Sequence, residues 1–113
     1  MTASASGRVD ELFENYILAL VAVDQCPESA GEELKWRLRE NVERAEKAFA
    51  DAVADGMRES SPALDEALRE LADANLITRA ALRDGKAISA SLAELENGTA
   101  HAVRVLMMAR RRE

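Results

Sequence analysis

Apolar positions along this chain recur at intervals of three and four, the signature of helices that bury one face. The first run covers 7–25, where Val9, Phe13, Tyr16, Leu20 and Val23 mark a face widened by Ile17 and Val21. It is the most apolar run, so it is expected near the centre of a bundle. Residues 1–6 are small and polar, predicting a frayed start with Ser6 as a candidate N-cap. Pro27 ends the run, because it has no backbone N–H to donate and restricts Cys26 before it.

The second run, 30–57, carries Leu34, Leu38, Val42, Ala45, Phe49, Ala52 and Gly56 along one stripe. Glu33–Arg37, Glu40–Arg44 and Glu43–Lys47 place acid before base four residues on, the favourable order for pairs on a helix surface. "SSP" then breaks the chain, with Ser60 or Ser61 capping and Pro62 in the permissive first turn of a new helix. The third run carries Leu64, Leu68, Leu71 and Leu82 on one line, with Asn75 and Thr78 between them. Asp84–Gly85 reads as a stop, Gly85 taking the left-handed position. The fourth run reaches about 110 on Ile88, Leu92, Leu95, Thr99, Ala102, Leu106 and Ala109; Ser91 to Glu94 match a capping box that would start it as late as Ser91. The alternative is one helix over 62–110 that tolerates Gly85 at a cost of about 1 kcal/mol. The seam favours a break, since its extension beyond Leu82 misses Ile88. The pattern predicts an all-α fold, an antiparallel up-and-down bundle of three or four helices forming a single domain over 1–113.

Composition sharpens this. A chain of 113 residues can hold a core of its own, and with only 4% aromatic residues its helices must meet through small side chains. The net charge of −6 disfavours nucleic acid, whose binding rests on neutralising phosphates, and leaves a basic or neutral protein as partner. A GC-rich genome would explain the excess of arginine over lysine as well as a binding role would. One cysteine excludes an internal disulfide, and with a single histidine it excludes a Cys/His zinc site. Asp10, Glu11 and Glu14 stand where a signal peptide needs positive charge, and the apolar run 16–23 is too short to span a membrane. The expected compartment is the cytoplasm, with no membrane partner and no cofactor.

Candidate chemistry is sparse. His101, with Arg104 three positions on, invites comparison with phosphotransfer histidine bundles. Those place a small residue where Val105 stands and continue into further helices, whereas twelve residues follow His101 here, so an ordinary helix histidine is expected. A di-iron site needs Glu-x-x-His motifs from two helices, and Glu96 and His101 are five apart. The glycines are scattered and form no phosphate loop. One ligand-binding arrangement remains open: Arg79, Arg83 and Lys86 beside Asn75 and Thr78, lining a pocket for a small anionic metabolite with or without turnover. Against it, Asn75 and Thr78 read as a register device, polar residues in a seam that select alignment at some cost in stability.

Surface features point to protein contacts. Advancing about 100° per residue puts Trp36 on the charged back of the second helix, with Ala50 and Ala54 on that same back. Tryptophan is the residue most enriched at interface hot spots. Val103, Val105, Leu106, Met107 and Met108 crowd apolar side chains beyond one stripe at the end of the chain, and methionines adapt to irregular partners. Arg110, Arg111 and Arg112 suit the negative end of a helix. Together these surfaces predict a homodimer, and a non-catalytic interaction module (an adaptor, small chaperone or regulatory subunit) acting on another protein through Trp36, Ala50, Ala54, Val105, Met107 and Met108.

Overall fold

A computed structural model describes residues 5–55, 61–84 and 88–110 and shows four helices, with no strand among the described residues. They are α1 (Ala5–Gln25), α2 (Glu32–Asp55), α3 (Pro62–Arg83) and α4 (Ile88–Arg110). Local chemistry sets their ends. The turn after α1 is closed by backbone bonds from Cys26 N–H to the Val23 carbonyl (3.2 Å) and from Ala30 N–H to the Pro27 carbonyl (3.0 Å). Ser61, in extended backbone, caps α3 by accepting the Leu64 N–H on its hydroxyl at 3.1 Å, and Pro62 follows in the first turn.

The stretch 62–110 is two helices that fold back on one another, so the single long helix is set aside. The conformation of Gly85 lies outside the described residues, as do Gly56, Lys86 and the first four residues. Two expected caps are corrected. Ser6 is inside α1, and Ser91 is inside α4, which starts a turn earlier at Ile88. The reason is tertiary: Ile88 is buried in the core, which favours extending the helix to include it.

Each helix runs opposite to the one before it, yet the neighbours are not all antiparallel. Around the bundle the order is α1, α2, α4, α3; α2 and α3 lie on the longer diagonal, where their described backbones do not approach closely, while α1 and α4 meet across the centre. Polar pairs give the directions. Asn75 reaches Glu11 and Arg79 reaches Glu14, so α1 and α3 run parallel. Arg37 reaches Glu96 and Arg110 reaches Asp55, so α2 and α4 do likewise. The α1–α4 diagonal is short because the residues on it are small. A Cβ at Gly98 would stand 3.2 Å from Asn15 Oδ1 and 3.7 Å from Thr78 Oγ1, closer than the first of these contacts tolerates without adjustment.

The interior has three storeys. One apolar cluster gathers Leu12, Ala48, Ala52, Leu64, Leu71, Ala102 and Val105; another gathers Leu18, Ala22, Leu38, Leu82, Ile88 and Leu95. Between them every helix contributes a buried polar residue: Asn15, Asn41, Asn75 with Thr78, and Thr99. α1 departs most from its expected packing. The face turned inward is Leu12, Asn15, Ala19 and Ala22, whereas Phe13, Leu20 and Val23 of the predicted face are exposed. Both stripes have helical spacing; the inner one is chosen because its small residues allow the close approach of α4.

Candidate functional site

Three of the four seams around the bundle are closed on the outside by arginine–carboxylate bridges. Arg79 joins Glu14 across α1/α3, and Arg104 joins Glu70 across α3/α4. The α2/α4 seam carries Arg37–Glu96 at 2.6 Å and Arg110–Asp55 at 2.6 Å. Hydrogen bonding to these carboxylates, and their negative charge, raise the pKa of Arg37, Arg79 and Arg110 above the ordinary arginine value. Among the described residues no ion pair crosses the α1/α2 seam.

Aromatic residues line that seam instead. Phe13 and Phe49 lie with ring centroids 5.1 Å apart, and Tyr16 stacks on Phe49 at 6.2 Å and meets Phe13 edge-on at 6.5 Å. Packing of this kind normally fills an interior, yet Phe13 is 44% exposed, Leu20 39% and Val53 54%. Val9, Tyr16, Ile17, Val42 and Phe49 are half-buried. The face continues to Val23 and a shallow groove of about 340 Å³ beside Cys26, Pro27 and Leu38, bordered by Lys35 and Arg39. Lys35 Nζ donates to the Glu28 carbonyl at 2.7 Å, and the Cys26 thiol leans on the Pro27 carbonyl.

Trp36 stands apart, on the back of α2 as its spacing predicts, and is 60% exposed. It shares an open groove of about 490 Å³ with Glu32, Arg39, Glu40 and Glu43. Ala50 and Ala54, further along α2, are also exposed. Met107 is exposed on α4 and Met108 half-buried against the core. Val105 is corrected: it is fully buried, part of the interior and not of any docking face. Val103 packs on the same cluster and Leu106 belongs to it, so most of the apolar surplus at this end of the chain is absorbed within one molecule.

The polar residues separate into two groups. Asn75 donates from Nδ2 to the Glu11 carbonyl and to Glu11 Oε1, both at 3.0 Å; Thr78 donates to the Ala74 carbonyl at 2.9 Å and the Glu94 carbonyl at 3.3 Å. Both are interior. Arg79 and Arg83 are exposed, with Arg79 hydrogen-bonded to Glu14. Of the five residues that would line an anion pocket, Lys86 lies outside the described residues and the other four divide between the interior and the surface. His101 is half-buried on α4. No protein-family model, curated protein or solved structure matches this chain.

Spacing alone turns Phe13, Tyr16, Leu20 and Phe49 inward; Phe49 does pack against the core and Tyr16 is half-buried, but Phe13 and Leu20 are exposed, and spacing does not reveal this seam as a surface. The signal that could have found it is the second stripe on α1. Leu12, Asn15, Ala19 and Ala22 also repeat at three and four, and a helix with two such stripes must turn one of them toward another partner or toward solvent.

Proposed function

We propose that this protein is an interaction module that works by binding another protein, in the manner of an adaptor, small chaperone or regulatory subunit, and that its principal docking face is the α1/α2 seam. One observation carries the proposal: at this seam Phe13, packed on Phe49 and Tyr16, stands exposed with Leu20 and Val23 along the same stripe, and no ion pair among the described residues crosses it, whereas arginine bridges span the other three seams; Leu76 and Ile77 of α3 are also exposed but carry no ring cluster. Single exposed apolar residues are ordinary on protein surfaces; a connected patch around packed rings marks a contact site. Trp36, in its own groove on the adjoining face of α2, supplies a second anchor of the residue type that dominates binding energy at interfaces.

The homodimer expected from the apolar surplus draws less support once Val105 and Leu106 are buried within one chain. A second copy stays the competing occupant of the same face.

The test uses the full chain in its native cell with a photoactivatable amino acid at position 13 or 20, and at the exposed position of Ala93 as control. The expected outcome is a discrete protein adduct from positions 13 and 20 and none from 93. The proposal is abandoned if a correctly folded protein yields no adduct at either seam position, or the same adducts at all three.

A further inference from the structure

We infer that the occupant of the α1/α2 seam is a short amphipathic helix of another protein, apolar on one stripe and basic along its flanks. This inference rests on the interaction reading and adds the kind of partner.

Spacing identifies a helix. Val9, Phe13, Tyr16, Leu20 and Val23 follow one another at four, three, four and three residues, the alternation by which one helix receives the side chains of another. α1 already uses a second stripe with this alternation, Leu12, Asn15, Ala19 and Ala22, against its own bundle. The outer stripe is only partly covered, by Phe49 of α2. From residue 9 to residue 23 it extends about 21 Å at 1.5 Å per residue, so a partner helix of about 15 residues covers it. That is less than half of the 46 Å length of the molecule. A short helix fits the apolar extent, whereas a second bundle laid along this side would also cover the charged surface beyond it.

Charge identifies the flanks. Asp10 and Asp24 border the stripe on α1 and Glu46 borders it on α2; all three are exposed and none has an ion-pair partner among the described residues. Among the described residues the cations nearby, Lys35 and Arg39, gather at the Val23 end, and Lys35 is turned to a backbone carbonyl. The chain as a whole carries −6. A second copy would bring the same negative flanks to the contact, while lysines or arginines on a partner helix would meet Asp10 and Glu46 with opposite charge.

Two synthetic 15-residue helices, with leucine at the seam positions and either lysine or glutamate on the flanks, are titrated calorimetrically into the full chain at low salt. The lysine peptide is expected to bind at least about tenfold more tightly than its twin. Phe13→Asp should weaken it by a further tenfold or more, and the double variant Asp10→Lys with Glu46→Lys should reverse the preference. Should Phe13→Asp fail the circular-dichroism check for folding, Leu20→Ser replaces it. Equal binding of the two peptides, absence of binding, or binding untouched by Phe13→Asp and Leu20→Ser overturns the inference. So does light scattering that finds twice 12.3 kDa for the wild type and 12.3 kDa for Phe13→Asp, which would make a second copy the occupant. A protein adduct at position 13 with no preference for the lysine peptide would leave the interaction reading standing and remove this one.

Discussion

Side chains of the middle storey set the tightest constraints on this bundle. Asn75 spends both amide hydrogens on Glu11, while its oxygen, like that of Asn41, is buried with no hydrogen-bond partner among the described residues. Asn75→Asp removes the donor and sets a carboxylate against the Glu11 carboxylate. It is expected to cost at least about 3 kcal/mol at neutral pH, the size of an uncompensated buried charge. Repulsion and burial both hold this new carboxyl protonated to a higher pH than in the unfolded chain. The destabilisation therefore shrinks as pH falls through the carboxylate range, and denaturant melts at pH 4 and pH 7 would show it. Gly98 tests the same storey from α4. An alanine there gains about 1 kcal/mol of helix propensity but pushes on Asn15 Oδ1, so Gly98→Ala is expected near neutral; Gly98→Leu, which has no room, should lose more than about 2 kcal/mol. Val105 and Met107, two residues apart, separate core from surface. Val105→Ala should cost about 2 kcal/mol and Met107→Ala less than about 0.5 kcal/mol, measured by chemical denaturation.

Among the elements, α3 is the one whose sequence and structure agree most closely. Its cap, its first-turn proline and its buried line from Leu64 to Leu82 stand where the spacing puts them. Ser61→Ala should therefore lose about 1 kcal/mol and lower the melting temperature by several degrees, with Ser61→Asp restoring most of it. α1 shows the limit of the same reasoning. Its two stripes are equally periodic, and the bulkier one looks like the better core; the bundle buries the one with Asn15, Ala19 and Ala22 because only small residues admit α4 across the diagonal. The start of α4 fails for a related reason. A capping box is a local preference, and the burial of Ile88 one turn earlier outweighs it.

At the scale of the whole molecule, arginine bridges span three seams of the bundle, and among the described residues none spans the fourth. Each bridge lies at the surface, where an ion pair contributes roughly 0–1 kcal/mol. Raising sodium chloride to about 1 M, where screening acts within about 3 Å, is expected to shift the melting temperature by no more than a few degrees. A large loss would mean that the bridges, and not the apolar clusters, hold the helices together. The bridges also fix pairings: parallel neighbours α1/α3 and α2/α4 can be matched only where a cation of one helix stands level with an acid of the other. No helix among the described residues is long and apolar enough to cross a membrane.

What the linear order of residues determined by itself was every feature that depends on neighbours three or four positions away. The helical runs, a serine cap just before Pro62, the inward placement of Asn75 and Thr78 and the outward placement of Trp36 are all of this kind, because helix geometry maps sequence offset directly onto direction. What only the tertiary structure decided was everything that depends on where other helices lie: which stripe of α1 is buried, that Val105 packs inside while Met107 does not, that α2 and α3 take the far diagonal, whether 62–110 is one helix or two, and that the aromatic seam faces outward. A periodic pattern states that a face is apolar. Whether it meets its own bundle or another protein is settled by the close approach of helices far apart in the chain, which no local offset encodes.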